Sequence, residues 1–139
     1  MIVTVFRNRF LKNIFQLTFS HSFFVKIFVF LQKKRLMNLS QENWVSQFEA
    51  DENAIILDVR TKDECDDGII PNAINIDIHT GQDFINAIEK LDKNKNYYVY
   101  CRSGMRSAKA CEIMNQLGFE NAYNLSGGII EWEGEVVQP

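Results

Sequence analysis

The chain has 139 residues, 46% of them hydrophobic and 24% charged, which is the length and composition of a single globular domain with a real core. Its formal net charge of -3 hides a split: residues 1–36 hold seven Lys/Arg and no Asp or Glu, which leaves eight basic against 18 acidic residues in 37–139, a net of -10. An acidic body without a local basic patch excludes nucleic acid as an expected partner, and three cysteines with no C-x-x-C and no His cluster exclude a disulfide framework and a structural zinc site.

Residues 1–36 and 37–139 read as two different kinds of sequence, a basic and apolar N-terminal extension and a folded domain. Within the extension, "FFVKIFVFL" (Phe23 to Leu31) is apolar but interrupted by Lys26, and stretching it back to Ile14 takes in five polar residues. That is poor for a bilayer span, which needs about 20 mostly apolar residues. Three readings stand for 1–36. Met37 is the true start and the upstream codons are misassigned, or the segment is a membrane-surface helix, or it is a targeting peptide. Contact with a membrane is expected only if 1–36 is part of the protein.

Ser40 is placed to cap a short helix with Trp44, Val45 and Phe48 on one face. "AIILDV" (Ala54 to Val59) is a buried strand by its short β-branched run, and "TKDECDDG" follows as a polar turn. "AINIDI" (Ala73 to Ile78) is a second strand, entered through Pro71 and Asn72. Phe84, Ile85, Ile88 and Leu91 fall at helical spacing within 81–91. After the loop Asp92 to Asn96 comes a third strand, "YYVY" (Tyr97 to Tyr100). A helix is expected over 107–117, with Ala110, Ile113, Met114 and Leu117 inward and Gly118 as terminator. "NAYNL" (Asn121 to Leu125) is a fourth strand, and Ser126-Gly127-Gly128 turns the chain into a short "IIEW" helix. Strands alternating with helices over short connections predict an α/β fold with a largely parallel sheet.

The chemistry concentrates at Cys101. A cysteine at the carboxyl end of a strand and just before a helix sits where α/β sheets bind ligands. Backbone N–H groups of such a loop, with the helix N-terminus, form an anion cradle that favours thiolate over thiol. Arg102 and Arg106 add positive charge for an anionic substrate. Gly104 permits a left-handed loop residue, and Ser103 and Ser107 offer hydroxyl donors.

"CRSGMRS" (Cys101 to Ser107) resembles the active loop of the single-domain rhodanese-like sulfurtransferases. "LDVRTKDECDDGIIPNAINID" (Leu57 to Asp77) is similar to that family's first signature, and "NLSGGIIEW" (Asn124 to Trp132) to its closing one. The likeness spans about residues 40–133. It implies a parallel five-stranded sheet flanked by helices on both faces. It implies thiosulfate sulfurtransferase activity: Cys101 takes sulfane sulfur from a donor such as thiosulfate, becomes a persulfide, and passes the sulfur to cyanide or a thiol. Residues 102–107 (Arg102, Ser103, Gly104, Met105, Arg106, Ser107) are then the substrate-binding loop. Asp58, Arg60 and Glu64 are its structural support, with Arg60 paired to Glu64 or Asp58. No metal or organic cofactor is needed. The partners implied are a small sulfur donor and a thiophilic acceptor, with a sulfur-relay protein as a further possibility, and free thiols suit a reducing, cytoplasmic setting.

The chain departs from the family pattern at three places. Gly68-Ile69-Ile70 stands where Gly-His-Ile is common, Asn72 where Gly is common, and Cys65 where a large aromatic is common. Cys65 is expected as packing, with a resolving thiol as the minor alternative. Cys111 lies about 15 Å of helix rise from Cys101 and is expected in the core, as is Trp132 in the core or at the cleft edge. Two rival functions remain: a phosphatase or arsenate reductase of similar loop design, and a non-enzymatic sulfur-carrier or interaction module. Four residues separate Cys101 from Arg106, against five in the phosphatase loops, and a smaller cradle suits sulfur better than phosphate.

Overall fold

The computed structural model describes residues 21–31 and 37–139. The chain divides into two compact units, Met1–Arg35 and Leu36–Pro139. In the first, residues 21–31 are helical, with eight large apolar side chains from Phe23 to Leu31 exposed. Among the described residues no helix is long and apolar enough to cross a membrane. The expectations for 1–20 and 32–36 lie outside the described residues.

The second unit is a sheet of five parallel strands: β1 (Asn38–Leu39), β2 (Ala54–Asp58), β3 (Ile74–Asn75), β4 (Asn96–Tyr100) and β5 (Ala122–Leu125). Their order across the sheet is β1-β5-β4-β2-β3, so β4 lies at the centre, with β2 on one side and β5 on the other. Four helices connect them: α1 (Gln41–Glu49), α2 (Lys62–Asp66), α3 (Gln82–Glu89) and α4 (Met105–Gln116).

Strand residues point alternately to the two faces, and the core divides accordingly. Leu57, Val59, Tyr97, Val99 and Cys101 pack with Phe84 and Ile88 of α3 and Ala110, Cys111 and Met114 of α4. Ile56, Tyr98 and Tyr100 face the other way, against Trp44 of α1, Ile70 and Leu125. Trp44 anchors this second face. Its ring meets Tyr98 and Trp132 edge-on, at 5.4 and 5.7 Å between centroids, and its Nε1 donates to Tyr123 O. Such aromatic pairs add about 0.5–1.5 kcal/mol each beyond buried area. Helices cover both faces, as the parallel sheet requires.

Ser40 caps α1, accepting from Asn43 N–H. Elsewhere several element boundaries differ from expectation. "TKDECDDG" holds a helix, not a turn: Thr61 and Glu64 form a reciprocal capping box that starts α2. The strand expected over 73–78 pairs as β3 only at Ile74–Asn75, because the Asp77 carboxylate caps a 3-10 turn at Ile78–Thr80. "IIEW" gives a single 3-10 turn, Ile129–Glu131. Helix α4 begins at Met105, two residues earlier than expected, with Gly104 at its cap. The fifth strand, β1, has only two residues, too few for any alternation to register.

Candidate active site

Central β4 delivers Cys101 to the carboxyl end of the sheet, where the side chain is fully buried. The loop that follows curls back on the sulfur. Gly104 N–H donates to Cys101 Sγ at 3.2 Å, and the Ser107 hydroxyl donates to it at 3.3 Å. The backbone N–H groups of Ser107 and Ser103 also favour the thiolate. Burial pushes the Cys101 thiol up, but these donors outweigh it, the Ser107 hydroxyl foremost, and the net shift is downward. Ser107 therefore lies inside the first turn of α4 and donates its hydroxyl hydrogen bond to the Cys101 sulfur, while Gly104 holds the cap position.

Gly104 takes φ 90° at the turn of the cradle, a left-handed geometry that suits glycine. A Cβ there would lie 3.0 Å from Leu125 O and 3.1 Å from Gly127 N. The closing Gly-Gly segment presses still closer. A Cβ on Gly128 would lie 2.5 Å from Arg102 O and 2.6 Å from Cys101 O. That approach lets Ile129 N–H and Ile130 N–H donate to Cys101 O and Arg102 O, at 2.9 and 3.0 Å. The carbonyls of Cys101 and Arg102 are thus drawn to the closing segment while the Gly104 N–H is turned to the sulfur.

The two arginines of the loop diverge. Arg102 is exposed, and no carboxylate pairs with it among the described residues. Arg106 is paired: Nη1 and Nη2 donate to Glu64 Oε2 and Oε1 at 2.7 and 2.6 Å. Glu64 raises the Arg106 guanidinium, with the nearby Cys101 sulfur adding to the effect. In return the Arg106 bonds hold the Glu64 carboxyl down to about 2, against burial. Met105 is 78% exposed beside the loop.

Asp58 and Arg60 form a second, buried pair. Arg60 Nη2 meets Asp58 Oδ2 at 2.6 Å, and Nε contacts both carboxylate oxygens at 3.0 Å. The remaining Arg60 donors go to Glu64 O and Gly68 O, so Arg60 binds the Glu64 main chain and leaves its carboxylate to Arg106. Burial would lower the guanidinium, and Asp58 more than offsets it. Asn75 Nδ2 ties Asp58 O and Arg60 O from β3.

Cys65 is buried, and its thiol donates to Asp58 Oδ2 at 3.4 Å. Burial and then Asp58 push it up to about 12, which makes it a poor resolving nucleophile. Burial also raises Cys111, in the core of α4. All three cysteines are free. At the departures, Ile69 makes an isolated antiparallel bridge with Val137, and Asn72 adopts φ 64°, a region Asn tolerates better than most non-glycine residues. Among the described residues no group of three or more His, Cys, Asp or Glu is disposed to hold a metal.

The rhodanese-like domain profile matches residues 41–135. The chain belongs to the rhodanese-like family. It is 42% identical over 89 residues to Bacillus subtilis YtwF, classed among the sulfurtransferases, covering 64% of this chain and 82% of that protein. A sulfurtransferase of Allochromatium vinosum is 35% identical over 98 residues, covering 70% of this chain and 89% of the relative. The tRNA uridine(34) hydroxylase of Legionella pneumophila is 37% identical over 97 residues, but this chain spans only 38% of its length. Among solved structures, a rhodanese-like domain protein from Staphylococcus aureus superposes with a TM-score of 0.62 at 32% identity, over 73% of this chain and 97% of that one.

Sequence reasoning missed three contributors to this rhodanese-like site. Asn75, Gly128 and Asn124, whose Nδ2 donates to Gly104 O at 3.1 Å, all lie inside the quoted signatures, but nothing local marks them, since each acts on backbone distant in sequence.

Proposed function

We propose that residues 37–139 form a sulfurtransferase that moves sulfane sulfur through a Cys101 persulfide. The observation that carries the reading is the convergence of Gly104 N–H and the Ser107 hydroxyl on Cys101 Sγ, at 3.2 and 3.3 Å. Donors so arranged stabilise negative charge on that atom, whether it is the thiolate that attacks or the persulfide that results.

With thiosulfate as donor, the thiolate attacks the outer sulfur. A bond forms between Sγ and that sulfur, the donor's S–S bond breaks, and sulfite leaves with the electron pair. Cyanide or a thiolate then attacks the outer sulfur of the persulfide and departs as thiocyanate or a new persulfide, returning Cys101 to thiolate. Arg102 is exposed at the loop and meets the anionic donor. Arg106, engaged by Glu64, holds the loop in place. An acceptor thiol carried on a protein would favour a basic partner, given the net charge of -10 on 37–139. Three free thiols fit a cytoplasmic setting.

Intact-mass measurement after incubation with thiosulfate, without reducing agent, tests the reading. The expected result is a gain of one sulfur atom that is absent in Cys101→Ser. No adduct on Cys101 would overturn it.

A further inference from the structure

Asn124 is polar and only 3% exposed in β5, yet the transfer scheme gives it no task. Its Nδ2 donates to Gly104 O at 3.1 Å and to Asn38 Oδ1 at 2.8 Å. Its own Oδ1 is buried without a hydrogen-bond partner. An orphaned buried oxygen destabilises a fold, and a leucine of similar size would remove that cost. Packing therefore does not account for the amide.

The amide's bond to the loop does. Gly104 lies between two peptide planes set by its φ of 90°. The plane on its amino side presents the N–H to Cys101 Sγ. The plane on its carboxyl side presents a carbonyl that accepts from Asn124 Nδ2 and from Ala108 N–H. The helix bond from Ala108 comes from the same element that Gly104 caps, so it can move with the loop. Asn124 stands on the central part of the sheet, paired in register with Val99 of β4 and Asn38 of β1. It ties the loop to the rigid scaffold.

We infer that Asn124 is a positioning residue that holds the Gly104 N–H on the Cys101 sulfur by securing the Gly104 carbonyl. The inference rests on Cys101 as the nucleophile of the proposed transfer. Without the bond the donors spread and the thiolate loses stabilisation.

The test is the pH profile of Cys101 alkylation by iodoacetamide, read by peptide mass mapping from about pH 5 to about pH 10. Asn124→Leu is expected to move the profile to higher pH and slow alkylation near pH 7 about threefold or more, while the melting temperature holds or rises. Asn38→Ala removes the other acceptor and is expected to leave the profile in place. An unmoved profile in folded Asn124→Leu overturns the inference, and so does an equal shift in Asn38→Ala. If the leucine variant does not fold, Asn124→Ala is measured against the same criteria. Thiosulfate adduct formation by the wild type is scored separately. A shifted profile with no adduct leaves the positioning role standing and removes the sulfur-transfer reading.

Discussion

Arg106 grips Glu64 through two parallel bonds of 2.7 and 2.6 Å, and the same Glu64 carboxylate closes the cap of α2 by accepting from the N–H and hydroxyl of Thr61. One carboxylate therefore joins the loop after Cys101 to the helix that follows β2. The pair is about one quarter exposed on each side, so solvent screens it only in part. Glu64→Gln keeps the cap's geometry but not the charge. It is expected to cost about 1–2 kcal/mol in urea unfolding, a loss that Arg106→Ala should match and Arg106→Lys should not repair.

The same pair sets a pH dependence. Arg106 holds the Glu64 carboxyl down to about 2, below its ordinary value of 4.5. A carboxyl depressed in the folded state adds stability that is fully present above its unfolded pKa and is lost as pH falls through the folded one. The stability difference between wild type and Glu64→Gln should thus be constant above about pH 5 and shrink between about pH 4.5 and about pH 2. Unfolding curves across that range check this, and a difference that does not narrow counts against the pair.

The two arginines should separate in kinetics. Arg102 is exposed and meets no carboxylate among the described residues, whereas Arg106 is engaged by Glu64. Arg102→Ala is expected to raise KM for thiosulfate by about three- to tenfold, with little change in kcat or melting temperature. The effect should fade as salt is added. Steady-state kinetics at low and high ionic strength read it. An unchanged KM would remove the anion-binding role from Arg102.

Gly128 should tolerate no side chain. A Cβ there would sit 2.5–2.6 Å from backbone atoms of Cys101 and Arg102, which cannot rotate away. Its φ of 60° with ψ of -160° adds backbone strain for any L-residue. Gly128→Ala is expected to destabilise the domain by about 2–4 kcal/mol and to abolish sulfur loading even where the chain still folds. Thermal melts with intact-mass readout would show it.

The three thiols should react very unequally. Cys101 is lowered by its donors, Cys65 is pushed up to about 12, and Cys111 is raised by burial. Limited iodoacetamide at about pH 7 should label Cys101 alone by peptide mapping. Early labelling of Cys65 would revive it as a resolving thiol.

Much of this was legible in the chain itself. Alternating apolar strands and amphipathic helices predicted the parallel α/β sheet, because residue periodicity is a local consequence of burial on one face. The placement of Cys101 between a strand and a helix, with Arg102, Gly104 and Ser107 close by, marked an anion cradle for the same local reason. The helix α2 was also legible, in Thr61 and Glu64 three residues apart, but an acidic, turn-like composition obscured it.

The tertiary structure decided the rest, since the rest depends on residues far apart in sequence. It gave Glu64 to Arg106, across 42 positions, and so left Arg102 as the loop's exposed cation. It brought Gly128 against the backbone of Cys101 and Arg102, and Asn124 against Gly104, contacts that no periodicity announces. Periodicity records which side of an element is buried; the partner across the gap is chosen only when the elements pack. The sequence alone thus determined that a cysteine stands at the end of a strand, just before a helix. Packing determined which groups turn toward its sulfur and which hold the loop that carries them.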